Sequence, residues 1–274
     1  MIDQAPVYDS AARLAPAIEE FREVVRYRHV VSAFVRRDLV TRYKRSLLGV
    51  VWTMLNPLGT MLIMTVVFSQ LFHATAWYPV YVLTGLISWN FFAQTTLAAP
   101  QRLLWSGSLI HRVYLPRTVF ALTAVGSGVV NILLALVPLA VVMLVVGSPF
   151  TPALLMVPIA IVLLAAFALG VGLLLSTIVV YFPDIVDIYQ IGLTAWLYLS
   201  AVFYPYEVIP AEYRWWFFNL NPIYHIMLLF RDPLYYGNWP TAAHVLAAFT
   251  VATVALVSGW LVFTRKADEL AYRI

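Results

Sequence analysis

Residues 106–146 read SGSLIHRVYLPRTVFALTAVGSGVVNILLALVPLAVVMLVV, and two features within them decide the fold. From Thr118 to Val146 there is no Asp, Glu, Lys or Arg over 29 residues. A helix rises 1.5 Å per residue, so about 20 such residues cross the ~30 Å hydrocarbon core of a bilayer. This stretch is more than long enough. Directly before it, Leu109, Ile110, Val113 and Tyr114 are crowded among His111, Arg112 and Arg117, and Pro116 ends any short helix there. An ordinary connecting loop has no need of four large apolar residues within six positions. The stretch therefore reads as a membrane crossing preceded by a docking knob for a soluble partner; the plain alternative is a loop whose basic residues only anchor it.

The rest of the chain repeats the first feature. Of 274 residues 62% are hydrophobic and only 11% charged, with mean hydropathy +0.85. Soluble domains carry roughly a quarter charged residues, so the bilayer is this chain's solvent. Six stretches lack all four charged residue types: Gly49–Phe72, Tyr78–Ala99, Thr118–Val146, Pro152–Tyr181, Ile188–Tyr204 and Thr241–Thr264. They predict an all-α integral membrane protein of six transmembrane helices over residues 46–274. An N-terminal segment, 1–45, precedes them, and residues 205–240 read as short re-entrant helices between spans five and six. Pro57 inside the first span predicts a kink.

Charge placement orients this arrangement. Nine basic residues precede the first span, Arg102, Arg112 and Arg117 follow the second, and Arg265, Lys266 and Arg273 follow the last. Only Arg214 and Arg231 fall on the other side. By the positive-inside rule both termini are cytoplasmic. The net charge of +4 is thus an orientation signal and does not point to nucleic acid. Between Leu14 and Arg45, apolar residues (Leu14, Ile18, Phe21, Val25, Val31, Phe34, Val35, Leu39) recur at helical spacing among Arg and Glu. That pattern fits an amphipathic helix at the inner-leaflet interface, with Arg37 and Arg42 near anionic headgroups. It also fits a cytosolic helix packed on other protein.

Several chemistries are excluded. None of the 12 glycines is followed by lysine, so there is no P-loop to cradle a nucleotide. There is no cysteine, the five histidines are scattered, and no metal-ligand spacing occurs. The absence of ionisable residues from the span cores argues against ion-coupled transport, an intramembrane hydrolase and a carboxylate-dependent glycosyltransferase. Any uphill transport must draw its energy from a partner. Residues 196–239 hold 15 of the chain's 41 aromatics together with Pro205, Pro210, Pro222 and Pro233. This cluster fits two arrangements: an interfacial aromatic belt with gate packing, or rings lining a cavity where sugar faces can rest. Non-helical backbone at that depth must be buried in protein or line water.

In order along the chain, Arg37-Asp38-Leu39, Arg42-Tyr43, Leu48-Gly49, Trp52 and Pro57 are followed by LIHRVYLPR at 109–117 and YFPDI at 181–185. Pro205, Ile209-Pro210, Arg214, Asn221-Pro222 and Arg231 complete the pattern. Together these resemble the permease subunits of ABC type-2 exporters that move O-antigen polysaccharides and teichoic acids. The resemblance implies a transport subunit rather than an enzyme: a homodimer in the bacterial cytoplasmic membrane, carrying a lipid-linked glycan and paired with two copies of an ATP-binding subunit. ATP and magnesium would sit in that partner, leaving no cofactor or metal in this chain. Leu109, Ile110, His111, Arg112, Val113, Tyr114 and Arg117 would dock the ATPase, with a second contact at Asp184. Arg37 and Arg42 would meet the lipid pyrophosphate headgroup where the glycan is admitted. Trp196, Tyr204, Trp215, Trp216 and Phe218 would form channel and gate. Where relatives often carry an Arg-Asp pair, this chain has Pro183-Asp184, a departure from the family pattern at the second contact. The same architecture exporting a drug or lipid is the alternative within transport.

Overall fold

The computed structural model describes residues 16–44, 49, 51–68, 77–106 and 115–273, and the side chains of these except at 42–44, 267, 268 and 270–273. It is helical throughout, with no strand among the described residues. The principal helices are α1 (Pro16–Arg26), α2 (Arg28–Lys44), α3 (Val51–Phe68), α4 (Tyr78–Trp105), α5 (Thr118–Val146), α6 (Val157–Val179), α7 (Ile185–Leu199), α8 (Pro222–Arg231) and α9 (Ala242–Arg273).

Local chemistry explains many boundaries. Proline occupies the first turn of α4, α6 and α8, where its missing N–H costs nothing. Gly147 ends α5 in the left-handed region (φ 75°), and Ser148 N–H then donates back to Met143 O. Among the described residues, α3, α5, the segment Pro152–Val179 and Ala242–Lys266 are long and apolar enough to cross a membrane unaided. α7 has the composition but only 15 residues.

α4 is long enough yet more polar, and its packing gives the reason. It is the hub of the bundle, packed against α3, α5, α6, α7 and α8, so it meets protein more than lipid. Three of its hydroxyls are satisfied by its own backbone: Thr84 Oγ1 donates to Tyr81 O (2.9 Å), Ser88 Oγ to Thr84 O (3.0 Å) and Thr96 Oγ1 to Phe92 O (2.8 Å). Phe92 stacks on Phe167 of α6 at 5.1 Å and meets Trp196 of α7 edge-on at 5.3 Å.

Among the described helices α6 and α9 share the most extensive contact. A Cβ on Gly170 would lie 2.3 Å from the Ala255 backbone, and one on Gly259 would lie 2.2 Å from Gly170 O. Two glycines thus let these backbones touch, as small residues do in membrane interfaces.

The amphipathic segment is two helices rather than one, broken at Tyr27. The two halves differ in what covers their apolar residues. On α1, Ile18, Phe21 and Val25 stay exposed, an uncovered apolar face suited to a bilayer interface. On α2 the apolar face is taken by α5: Phe34 stacks on Phe120 at 6.2 Å, and Val35 sits where Gly126 leaves room. α1 is tied to the bundle through two neighbours. Trp260 Nε1 of α9 donates to Ala17 O (3.1 Å), and Glu20 Oε1 accepts from Thr118 N–H (3.2 Å) and Oγ1 (2.7 Å) at the start of α5.

Candidate functional site

The chain leaves α7 at Leu199 and reaches Pro222 through an irregular turn at residues 200–205 and short helical turns at Tyr206–Val208, Ala211–Arg214 and Trp215–Asn219. Ala201 adopts φ 51°, unusual for a residue with a Cβ. The carbonyls of residues 201–204 freed by this turn are all collected. Tyr78 Oη donates to Phe203 O (2.7 Å), and Tyr81 Oη lies 2.7 Å from Tyr204 O and 3.1 Å from Ala201 O. Arg231 Nη2 donates to Ala201 O (2.5 Å) and Val202 O (3.2 Å). Arg231 is 2% exposed and its guanidinium lies 4.0 Å above the Tyr81 ring, in space that Gly85 leaves open. An irregular segment inside a membrane protein must meet this condition. Asn221 completes the frame: its Oδ1 accepts from Trp196 Nε1 (2.9 Å), and its Nδ2 donates to Ser200 Oγ (3.0 Å).

Around this frame lies a cavity of about 740 Å³, walled by the rings of Tyr81, Tyr206, Trp215, Phe218, Tyr224 and Tyr236. Arg214 braces its rim, donating through Nε to Ile209 O (2.8 Å) and through Nη2 to Glu207 O (2.9 Å). Asp232 and His244 close the opposite wall with a 2.9 Å hydrogen bond. Burial pushes the Asp232 carboxyl above its ordinary range, while His244 and Arg231 pull it back.

The five predicted gate residues do not all line one space. Trp215 and Phe218 share the large cavity, but Phe218 is a buried wall, tilted on Tyr224 at 4.7 Å. Trp215 and Trp216 meet edge to face at 5.0 Å and line different hollows. Trp216 borders a neighbouring space of about 460 Å³ with Trp196, whose ring also packs inward against Trp89 and Phe92. Tyr204 turns its hydroxyl onto Tyr198 O (2.6 Å) and lines neither. Sequence reasoning does not single out Tyr81 or Tyr224, and it places Arg231 in the family pattern without a role at the site. The density of tyrosine along these segments is a visible signal; the pairing of α4 with α8 is not.

At the opposite end of the bundle, α2, α4 and α5 enclose a groove of about 710 Å³. Asp38 forms an ion pair with Arg102 and lies 3.4 Å from Arg37 Nη2. Arg37 is mostly exposed and covers the Phe34 ring at 4.8 Å. Arg42 is in the last turn of α2 with its side chain outside the described residues. Leu109, Ile110, His111, Arg112, Val113 and Tyr114 likewise lie outside the described residues; Arg117 immediately precedes α5. Asp184 precedes α7 and is exposed near Phe182, itself 69% exposed. Among the described residues no group of three His, Cys, Asp or Glu side chains converges as a metal site would.

These features define a multi-pass helical membrane protein with an aromatic cavity at one end and a basic groove at the other. The chain belongs to the ABC-2 type transporter family, whose profile matches residues 29–235. Among its relatives, the O-antigen export system permease protein RfbA of Myxococcus xanthus is 27% identical over 255 residues, 92% of this chain and 98% of that protein. An RfbA of Klebsiella pneumoniae is 25% identical, covering 89% of this chain and 93% of its own. The polysialic acid transport protein KpsM of Escherichia coli is 25% identical, covering 82% and 89%.

Proposed function

We propose that this chain is the channel-forming permease of an ATP-driven exporter that moves a lipid-linked polysaccharide, of O-antigen or teichoic-acid type, across the bacterial cytoplasmic membrane. The observation that carries this reading is the near end-to-end correspondence with permeases named for O-antigen and polysialic acid export. The aromatic cavity supports it: flat rings bind the apolar faces of sugars without demanding one sequence. In this reading α4 and α7 complete six spans with the four helices that qualify unaided, and both termini are cytoplasmic. Two permease copies pair with two ATP-binding subunits, which hold ATP and magnesium. Residues 109–114 with Arg117 seat in the ATPase, and the exposed Phe182–Asp184 turn makes a smaller contact. Arg37 and Arg42 attract the pyrophosphate headgroup beside the basic groove, and Trp215 with Phe218 walls the exit.

The test uses the permease co-purified with the ATP-binding subunit encoded beside it. Tyr114→Ala combined with Arg117→Ala should abolish the complex or the permease-dependent change in ATP hydrolysis. A double variant that assembles, hydrolyses ATP and exports glycan as the wild type does would refute the docking assignment. A wild-type complex that moves no glycan would refute the cargo.

A further inference from the structure

The bundle holds polar side chains as well as apolar ones. Four carboxamides from three helices, Asn56 of α3, Asn90 and Gln94 of α4, and Asn131 of α5, line one cleft of about 350 Å³. Asn90 and Gln94 stand one turn apart on the same face of α4. At 1.5 Å per residue Asn90 lies about 18 Å from the start of α4 and Asn131 about 20 Å from the start of α5. The cleft therefore lies deep in the bundle, where an amide facing hydrocarbon would cost several kcal/mol. Gln94 and Asn56 are nevertheless exposed on this chain.

A second observation points into the same space. Thr95 is 2% exposed, lines the cleft, and its Oγ1 has no hydrogen-bond partner among the described residues. Thr84, Ser88 and Thr96 of the same helix all donate to a backbone carbonyl of the preceding turn; Thr95 does not. The space before it exists because residue 128 is glycine: a Cβ there would lie 2.5 Å from Thr95 Oγ1 and 3.0 Å from the Phe91 ring. Trp52, 57% exposed, supplies a flat apolar face at one edge.

We propose that this cleft is a binding site for a neutral, hydroxyl-rich stretch of the transported glycan, an inference that rests on the exporter reading above. A carboxamide donates and accepts at once, as a sugar hydroxyl does, and Trp52 offers the surface that a sugar ring's C–H face covers. No Lys or Arg lines the cleft among the described residues, so the pyrophosphate end of a lipid-linked glycan is not the occupant. Uncharged amides bind weakly at each step, which suits a site that a long chain must both occupy and leave.

The chain has no cysteine, so single cysteines report cleanly. Asn90→Cys, Gln94→Cys and Asn131→Cys are placed one at a time in the permease–ATPase complex in inverted membrane vesicles. A charged methanethiosulfonate reagent should modify them in vesicles from cells that cannot make the glycan, with several-fold protection in vesicles from cells that can. In parallel, Asn90→Leu and Gln94→Leu should each slow glycan export about two- to tenfold at equal permease level, while Asn90→Gln, which keeps the amide, retains it. Unreactive cysteines overturn the proposal whether or not the leucine variants export, because they mean a sealed polar packing seam. Reactive cysteines without glycan protection, with full export by the leucine variants, overturn it while leaving the exporter reading intact. A wild-type complex that moves no glycan removes that reading and this site together.

Discussion

Adding a single methyl group at the contact between α6 and α9 should loosen the whole bundle. In Gly170→Ala the new Cβ would lie 2.3 Å from Ala255 C and O and 2.5 Å from Leu256 N; in Gly259→Ala it would lie 2.2 Å from Gly170 O. Ordinary van der Waals contact begins at 3.4 Å, and these neighbours are backbone, so no side chain can rotate away. The axes must part by about 1 Å, and a gap of that size forfeits a quarter to a half of each dispersion contact along the seam. Overpacking of this kind costs about 1–3 kcal/mol. Against it stands the better helix propensity of alanine, about 1 kcal/mol over glycine. Backbone-on-backbone overlap puts the clash at the upper end, leaving about 2 kcal/mol of net loss. For a domain of this size that lowers the thermal midpoint by about 4–8 °C. Gly59 and Gly192, helical positions where an added methyl would meet nothing within 4 Å, are the controls: their alanine variants should melt at or above wild type. The assay is heating of purified protein in detergent, followed by intrinsic fluorescence and by the monodisperse fraction on gel filtration. If Gly170→Ala and Gly259→Ala melt with the controls, the close approach does not hold these helices together.

Tyr81→Phe leaves the Tyr204 carbonyl short of its side-chain donor, while Ala201 O keeps Arg231, and should cost about 1–3 kcal/mol; Arg231→Met should cost more, since it strips two carbonyls of a charged donor. Both are read by the same melting assay, and a neutral Arg231→Met would mean that the 200–204 turn is held by other contacts. Glu20→Ala removes the carboxylate that accepts from Thr118 at the α5 N-terminus and should cost about 1 kcal/mol, as loss of a helix cap does, while Glu20→Asp should recover part of it. Breaking the partly exposed Asp38–Arg102 pair with Arg102→Ala should change stability by no more than about 1 kcal/mol, yet it should raise the protease sensitivity of α2; unchanged cleavage would place the hold on α2 in its apolar packing on α5, through Phe34 and Val35.

The solvent of this protein is legible in the order of its residues. Long charge-free stretches admit only a bilayer, and the one-sided arginines carry an orientation signal, because both are local properties of composition. The crowding of Tyr, Trp and Pro between residues 196 and 239 likewise marks the end of the bundle where the aromatic cavity lies. Which face of each helix turns inward is not legible. Lipid and protein interior are equally apolar, so a buried span shows little amphipathic contrast, and nothing in the order of residues separates Trp196, packed inward, from Trp215, exposed on the cavity. Tertiary structure alone decided that α4 is the hub, that Arg231 is buried under the carbonyls of residues 201 and 202, and that Phe218 is buried against Tyr224. It alone brought Asn56, Asn90, Gln94 and Asn131 to one cleft. Sequence sets what each segment can dissolve in. The meeting of small residues and hydrogen-bonding groups across helices, tens of residues apart along the chain, sets which of them touch.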